Sequence, residues 1–511
     1  MAAGVALLPL VYLVIRATEK GWAEVEATLV RGRTLTLALR SLDLALIVTL
    51  ACLVLGTSFA WLVTRTDLPG RRVVQVLLGL PLALPSYVAA FGWIGWRPEL
   101  AGRTGAAVVL TTISYPYVYL PVLAALRRCD PALEDAARSL GHGPLATFWR
   151  VTVPQLRLAA AGGGLLVGLY VLSDFGGVAT MRYEVLTTVI YSSYRGSFDR
   201  TPAAVLGCVL AAMAITIVAL ERLTRRRGAS TAKVGAGALR AQHRAGLGAA
   251  RWPMLLVSAG WLGVALGIPA RGLQVWLSQG DSRPDGGRFV EAAGNTLQVG
   301  AVGALAVVAV AFPLALLTVR HPGRIPRLAV SAAYAGHALP GVVVGLSLVF
   351  FGITYATPIY QELPLLVLAY VVLFLALALA SLQSAIAQIP PILDDVSRSL
   401  GRTAWGTWRA VTVRIAAPGI GAAATLVFLT IMKELPATLF LRPTGFDTLS
   451  TQLWSHLSSF SKAAAAPYAV AIVVLAALPT ALLSSLGDGP RHRGGRRRGR
   501  PTDAVEAGSG P

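Results

Sequence analysis

Asp135-Ala136-Ala137-Arg138-Ser139-Leu140-Gly141, continuing to Val151-Thr152-Val153-Pro154, is matched 260 residues later by Asp395-Val396-Ser397-Arg398-Ser399-Leu400-Gly401, continuing to Val411-Thr412-Val413-Arg414. Every pair keeps the same offset. Apolar segments resemble one another by chance because their alphabet is small. A shared Arg-Ser-Leu-Gly with a Val-Thr-Val at fixed distance, in a polar stretch, is hard to obtain that way. The chain therefore reads as an internal duplication, with the duplicated polar loop as the place to look for function.

Working outward, the surroundings of both copies are apolar. The 511 residues are 55% hydrophobic and 14% charged, which places the chain in a bilayer. Runs of about 20 apolar residues, the length a crossing needs, occur at roughly 2–16, 42–64, 73–95, 106–126, 156–177 and 202–220, and again at 253–269, 296–319, 328–352, 364–384, 415–433 and 464–486. That is an all-α integral membrane protein of about twelve spans, six per half. The first run is short, lacks a basic leader and is followed by no small-residue cleavage site, so it is expected to be a span and not a removable signal.

The formal charge of +21 raises the question of nucleic acid, and its distribution answers it. If both motif loops face the cytoplasm, the cytoplasmic segments hold 29 of the 45 Lys and Arg residues. This is the positive-inside bias of a membrane protein with both termini in the cytoplasm. The densest basic stretches, Arg225-Arg226-Arg227 and Arg496-Arg497-Arg498, suit anionic lipid headgroups, and no nucleic-acid partner is expected. Cys52, Cys129 and Cys208 have no paired spacing, and the six histidines are scattered. Neither a disulfide framework nor a metal site is indicated, and no cofactor is expected.

The repeat extends past the motif. Leu62-Val63-Thr64-Arg65 and Pro69-Gly70-Arg71 correspond to Leu317-Thr318-Val319-Arg320 and Pro322-Gly323-Arg324, Ala83-Leu84-Pro85 to Ala338-Leu339-Pro340, and Tyr183–Thr188 to Phe446–Thr451. The motif lies between the fourth and fifth runs of each half, so the halves are parallel repeats. The expected organisation is a first repeat at 1–221 with its loop at 130–154, a basic linker at 222–251, a second repeat at 252–486 with its loop at 390–414, and a disordered basic tail at 487–511.

Asp130-Pro131 is a helix start signal, and Glu134 and Asp135 fall in the first turn, where the helix dipole favours negative charge. Gly141 interrupts the helix, and Ala146–Val153 forms a second amphipathic stretch carrying Phe148, Trp149 and Val151. Two short helices with a bend between them make a knuckle that can seat in a groove of another protein. The plainer alternative is an ordinary interfacial loop, which the duplication argues against.

The motif resembles the cytoplasmic loop signature of binding-protein-dependent ABC transporter permeases: Glu-Ala-Ala, three residues, Gly, nine residues, then Ile-x-Leu-Pro. It maps onto Asp135, Ala136, Ala137, Gly141, Val151, Val153 and Pro154, and onto Asp395, Val396, Ser397, Gly401, Val411, Val413 and Arg414. Asp replaces Glu in both copies, Val-Ser replaces Ala-Ala in the second, and Arg414 replaces Pro. The resemblance covers nearly the whole chain. It implies the MetI-like importer-permease fold, a location in the cytoplasmic membrane, two copies of an ATPase subunit docked on the two loops, and a periplasmic or lipid-anchored solute-binding protein. Fused double-length permeases are typical of the ferric-iron type. Met432–Leu439 with Leu441-Arg442-Pro443 and Gly445–Leu449, together with Ser173-Asp174-Phe175-Gly176, is most similar to that subgroup. Thiamine and phosphonate permeases share much of the pattern.

A P-loop needs Gly-Lys-Ser/Thr, and none of Lys20, Lys233, Lys433 and Lys462 follows a glycine, so ATP hydrolysis is expected in a separate subunit. A secondary transporter without an ATPase would carry coupling acids or His in mid-membrane, yet the spans are almost free of central charge. A membrane enzyme would need a recurring cluster of acids, His or nucleophile, and there is none. At the motif's own offset Asp174 aligns with Glu434, near the far ends of the two fifth spans. They are candidates for the solute path, the alternative being helix caps or partners of Lys433 or Arg182.

Overall fold

The computed structural model describes residues 2–129, 131–196, 199–228, 246–279 and 285–487. Asp130, residues 229–245 of the expected linker and the expected tail beyond Gly487 lie outside the described residues. Every regular element among the described residues is helical. Eight helices are long and apolar enough to cross a membrane, two further bent pairs pass the same test, and two shorter apolar helices, Ala6–Thr18 and Lys462–Ala477, correspond to the first and last expected spans.

The bent pairs correct two of the expected straight spans. Arg71–Ala83 and Ser86–Trp96 meet at 96°, and Arg324–His337 and Gly341–Tyr355 at 104°. The repeated Ala-Leu-Pro is the corner in both. Leu84 is extended, with ψ 123°, and Pro85 and Pro340 have ψ 145° and 141°. Proline brings no N–H to the helical ladder and pushes its predecessor out of the helical region, so the chain turns there and a new helix starts. The second span of each half is longer than expected. Gly32–Arg65 has 34 residues and Gly286–Arg320 has 35, so each is about 50 Å long and projects past a hydrocarbon core of about 30 Å.

The halves are interlocked through their first helices. Ala2–Thr18 packs against both limbs of the second half's bent pair, and Ile268–Ser278 packs against Ser86–Trp96 of the first. The two contacts correspond at one proline. In one, the Ser347 hydroxyl donates to the Pro9 carbonyl. In the other, Gly92 takes the place of Ser347 and lies so close to Pro269 that a Cβ there would be 2.5 Å from its carbonyl oxygen. With no hydrophobic drive between helices in lipid, such small-residue contacts are how spans gain packing energy.

Candidate coupling site

Each motif loop is built the same way. The helices Pro131–Ser139 and Ile392–Ser399 end in a Schellman turn. His142 N–H donates to Ala137 O at 3.1 Å and Gly141 N–H to Arg138 O at 2.9 Å, while Arg402 N–H donates to Ser397 O at 3.3 Å and Gly401 N–H to Arg398 O at 2.9 Å. This geometry needs a left-handed residue, and both Gly141 and Gly401 have φ +82°. Nothing lies within 4 Å of where a Cβ would be, so within this chain glycine is required for its backbone angle and not for close packing.

The second stretch of the knuckle is not a separate short helix, as the sequence suggested. A short turn, Pro144–Thr147 or Ala404–Thr407, runs through a π-helical segment, Phe148–Thr152 or Trp408–Val413, directly into the fifth span. An edge-to-face aromatic contact fastens each π segment to the second span, Phe148 to Trp61 and Trp408 to Phe312, with ring centres 5.9 and 6.0 Å apart.

The helix registers sort the motif residues. Asp135, Ala136, Asp395, Val396, Gly141, Gly401, Pro154 and Arg414 are exposed, Val151 and Val411 are half-buried, and Ala137 and Ser397 face inward. The Ser that replaces Ala in the second copy is accommodated: Ser397 Oγ and Thr407 Oγ1 are hydrogen-bonded at 3.0 Å. Leu140 and Leu400 are 79% and 76% exposed at the turns, and Leu133, Leu393 and Val396 are exposed along the same helices. Each knuckle thus offers an apolar tip rimmed by an acid and an arginine, the anatomy of a protein-docking patch.

Behind the tips lie residues that the motif pattern does not mark as functional. Glu134, one position before the motif acid, is turned inward: its Oε1 is 3.0 Å from Arg65 Nη2 and accepts from Thr152 Oγ1 at 3.0 Å. The second half repeats the triad with Arg320, Asp394 and Thr412, more loosely, at 3.3 and 3.5 Å. The Arg65 and Glu134 side chains are only 4% and 10% exposed. Removing one partner of so buried a pair costs roughly 3–5 kcal/mol, chiefly through the charge left alone. The signal was in the sequence, since Arg65 and Arg320 end matched tetrapeptides and Thr152 and Thr412 sit inside the repeated Val-Thr-Val. What one sequence cannot show is that these segments meet.

At the far end of the fifth span, Asp174 and Glu434 cap helices. Asp174 Oδ2 accepts from Val178 N–H at 3.0 Å. Glu434 accepts from Ala437 N–H at 2.9 Å, and from the Thr438 N–H and hydroxyl at 3.0 and 2.9 Å. Both carboxylates also lie at the start of a bent pair's second limb, Asp174 beside Ser86 and Glu434 beside Gly341. Among the described residues neither has an ion-pair partner. Lys433 points elsewhere, its Nζ 3.4 Å from the Leu82 carbonyl at the other half's corner. The two loops touch between halves, Gly176 against Leu435.

Residues 52–227 match the family model described as binding-protein-dependent transport system inner membrane component. The whole chain is similar to the Fe(3+)-transport system permease protein FbpB 2 of Haemophilus influenzae, 35% identical over 492 residues, covering 93% of this chain and 95% of that protein. The chain belongs to the binding-protein-dependent transport permeases. Shorter relatives match only part of the permease. The probable sulfate transport system permease protein cysT of Chlorokybus atmophyticus is 30% identical over 42% of this chain and 81% of its own length. The sulfate transport system permease protein CysT of Escherichia coli is 28% identical over 44% of this chain and 88% of its own length. The permease is accordingly a multi-pass inner-membrane component of an ABC importer. It is not itself an enzyme, and it works with an ATPase subunit and a solute-binding protein.

Proposed function

We propose that this permease carries ferric iron into the cytoplasm. The observation that supports this is the similarity to a ferric-iron permease across both halves at nearly full length, where the sulfate relatives align with less than half of the chain. Both knuckles face the cytoplasm with the two termini, as the basic bias favours, and each docks one ATPase, giving two copies per permease. The basic stretches 225–227 and 496–498 hold anionic lipid headgroups. Asp174 and Glu434, one per half and without an ion-pair partner among the described residues, stand at the far mouth and meet the cationic solute as it leaves the binding protein. Residues 130–154 and 390–414 are the coupling loops of two repeats, 1–221 and 252–486, joined by the linker 222–251 and followed by the tail 487–511.

The test is ATP-dependent uptake by proteoliposomes holding the permease, its ATPase and its binding protein. Radiolabelled ferric iron is expected to accumulate only when ATP and the binding protein are both present. Uptake of thiamine or a phosphonate with no iron uptake would reject the assignment. Docking is read by crosslinking from cysteines at the outward-facing Ala136 and Val396. The inward-facing Ala137 and Ser397 are poor positions for this.

A further inference from the structure

The buried triads Arg65–Glu134–Thr152 and Arg320–Asp394–Thr412 occur once per half at corresponding positions. Arg65 and Arg320 are the last residues of the long second spans. Glu134 and Asp394 lie in the first turn of the knuckle helices. Thr152 and Thr412 lie in the π segments that open the fifth spans. One carboxylate therefore joins the knuckle to two membrane helices at once. Arg65 Nη2 is 3.0 Å from Glu134 Oε1, and Arg320 Nη2 is 3.3 Å from Asp394 Oδ2. A bidentate fork would hold one geometry. Here each acid makes one ion contact and one hydroxyl contact, so it ties the three segments at a single point.

We propose that Glu134 and Asp394 are positioning residues that clamp each knuckle to its second and fifth spans, so that displacement of the knuckle by the ATPase drags both helices. This rests on the reading of the knuckles as coupling loops. The fifth span leads to Asp174 or Glu434 at the other end, so the clamp connects the ATPase side to the far mouth through one helix. The shorter Asp394, 20% exposed against 10% for Glu134 and held at longer distances, transmits less, and the first half carries the larger share.

The experiment compares variants of the reconstituted importer by three readouts: ATPase retained on the purified permease, ATP hydrolysed, and iron taken up per ATP. Glu134→Gln is expected to keep the ATPase bound and hydrolysing while uptake per ATP falls about tenfold. Glu134→Asp, the acid the second half already uses, restores uptake to within about threefold of wild type. Asp394→Asn costs about threefold. Thr152→Val, nearly isosteric and missing only the hydroxyl, gives a partial loss at unchanged ATPase retention and serves if Glu134→Gln does not fold. Wild-type uptake per ATP in Glu134→Gln, or in Thr152→Val where only that variant folds, overturns the clamp. Docking is scored separately by Leu140→Arg with Leu400→Arg. If that double variant retains the ATPase, the coupling-loop reading fails instead.

Discussion

Trp454 Nε1 donates to the hydroxyl of Tyr191 at 3.3 Å across the junction between the halves, and the two residues occupy equivalent positions, offset by the same 263 residues that relate Tyr183–Thr188 to Phe446–Thr451. Phe175 packs on both, with ring centres 4.8 Å from each, and Phe440 stands edge-on to Tyr191 at 5.6 Å. The aromatic cluster thus joins helix Leu186–Gly196 of one half to helix Leu449–Ser458 of the other, next to the capped acids. Trp454→Phe keeps an aromatic ring and deletes the donor, so thermal unfolding in detergent should register a loss of about 0.5–1.5 kcal/mol. Trp454→Ala removes the ring as well and should cost more and let iron leak through vesicles in the absence of ATP. A sealed, fully stable Trp454→Ala permease would deny the cluster any part in closing the junction.

Gly141 and Gly401 have the same left-handed backbone and open surroundings, so the cost of replacing them is one of conformation. Alanine at either position should destabilise its knuckle by roughly 1–2 kcal/mol, and asparagine by less. Bulky residues should uncouple transport while membrane insertion is unaffected. Equal losses of ATPase retention in the two alanine variants would match the matched geometry. Full retention in both would show that the Schellman turn is dispensable for docking.

Asp174 and Glu434 hold short helices by accepting backbone N–H groups. Asn keeps the one oxygen that accepts from Val178 N–H, whereas Glu434 accepts through both oxygens, so Gln keeps one acceptor and turns its amide nitrogen toward the other donor. Asp174→Asn with Glu434→Gln should therefore still fold and bind the ATPase, at a cost of about 1–3 kcal/mol from the donor left unpaired at position 434, while uptake of a cationic solute drops several-fold. Unchanged uptake would leave both acids as caps alone. Misfolding of each single variant would likewise assign them to structure.

The sequence made the duplication, the spans and the knuckles visible because each depends on local pattern or a fixed offset. The repeated Ala-Leu-Pro was seen as a repeat but not as a corner, since an apolar run of 23 residues such as 73–95 reads as one helix until the proline's effect on Leu84 is weighed. The inward acid was missed for a different reason. Glu134 and Asp135 are neighbours, and only the burial of Ala137 three residues after Glu134 reveals which of them shares the inner face. The exchange of first helices between halves has no local signature at all, because it is decided by which distant surface offers Gly92 or Ser347 to a passing proline.

That exchange gives the last prediction. Gly92 and Gly272 approach until a Cβ on Gly272 would sit 1.6 Å from the Gly92 carbonyl oxygen, and a Cβ on Gly92 would meet the Pro269 backbone. Backbone cannot yield as a side-chain tip does, so Gly272→Val or Gly92→Val should destabilise at least at the upper end of the about 1–3 kcal/mol typical of overpacking. The counterpart contact already tolerates a side chain, Ser347 against Pro9, and Ser347→Ala loses only one hydrogen bond, worth about 1 kcal/mol. The expected order in detergent unfolding is therefore wild type, Ser347→Ala, then the two valine variants well below. Limited proteolysis provides the spatial check: the valine variants should expose the segment around Arg271, and Ser347→Ala should not. A valine variant as stable as wild type would mean that the first helix of the second half does not lie against Ser86–Trp96 in the folded protein.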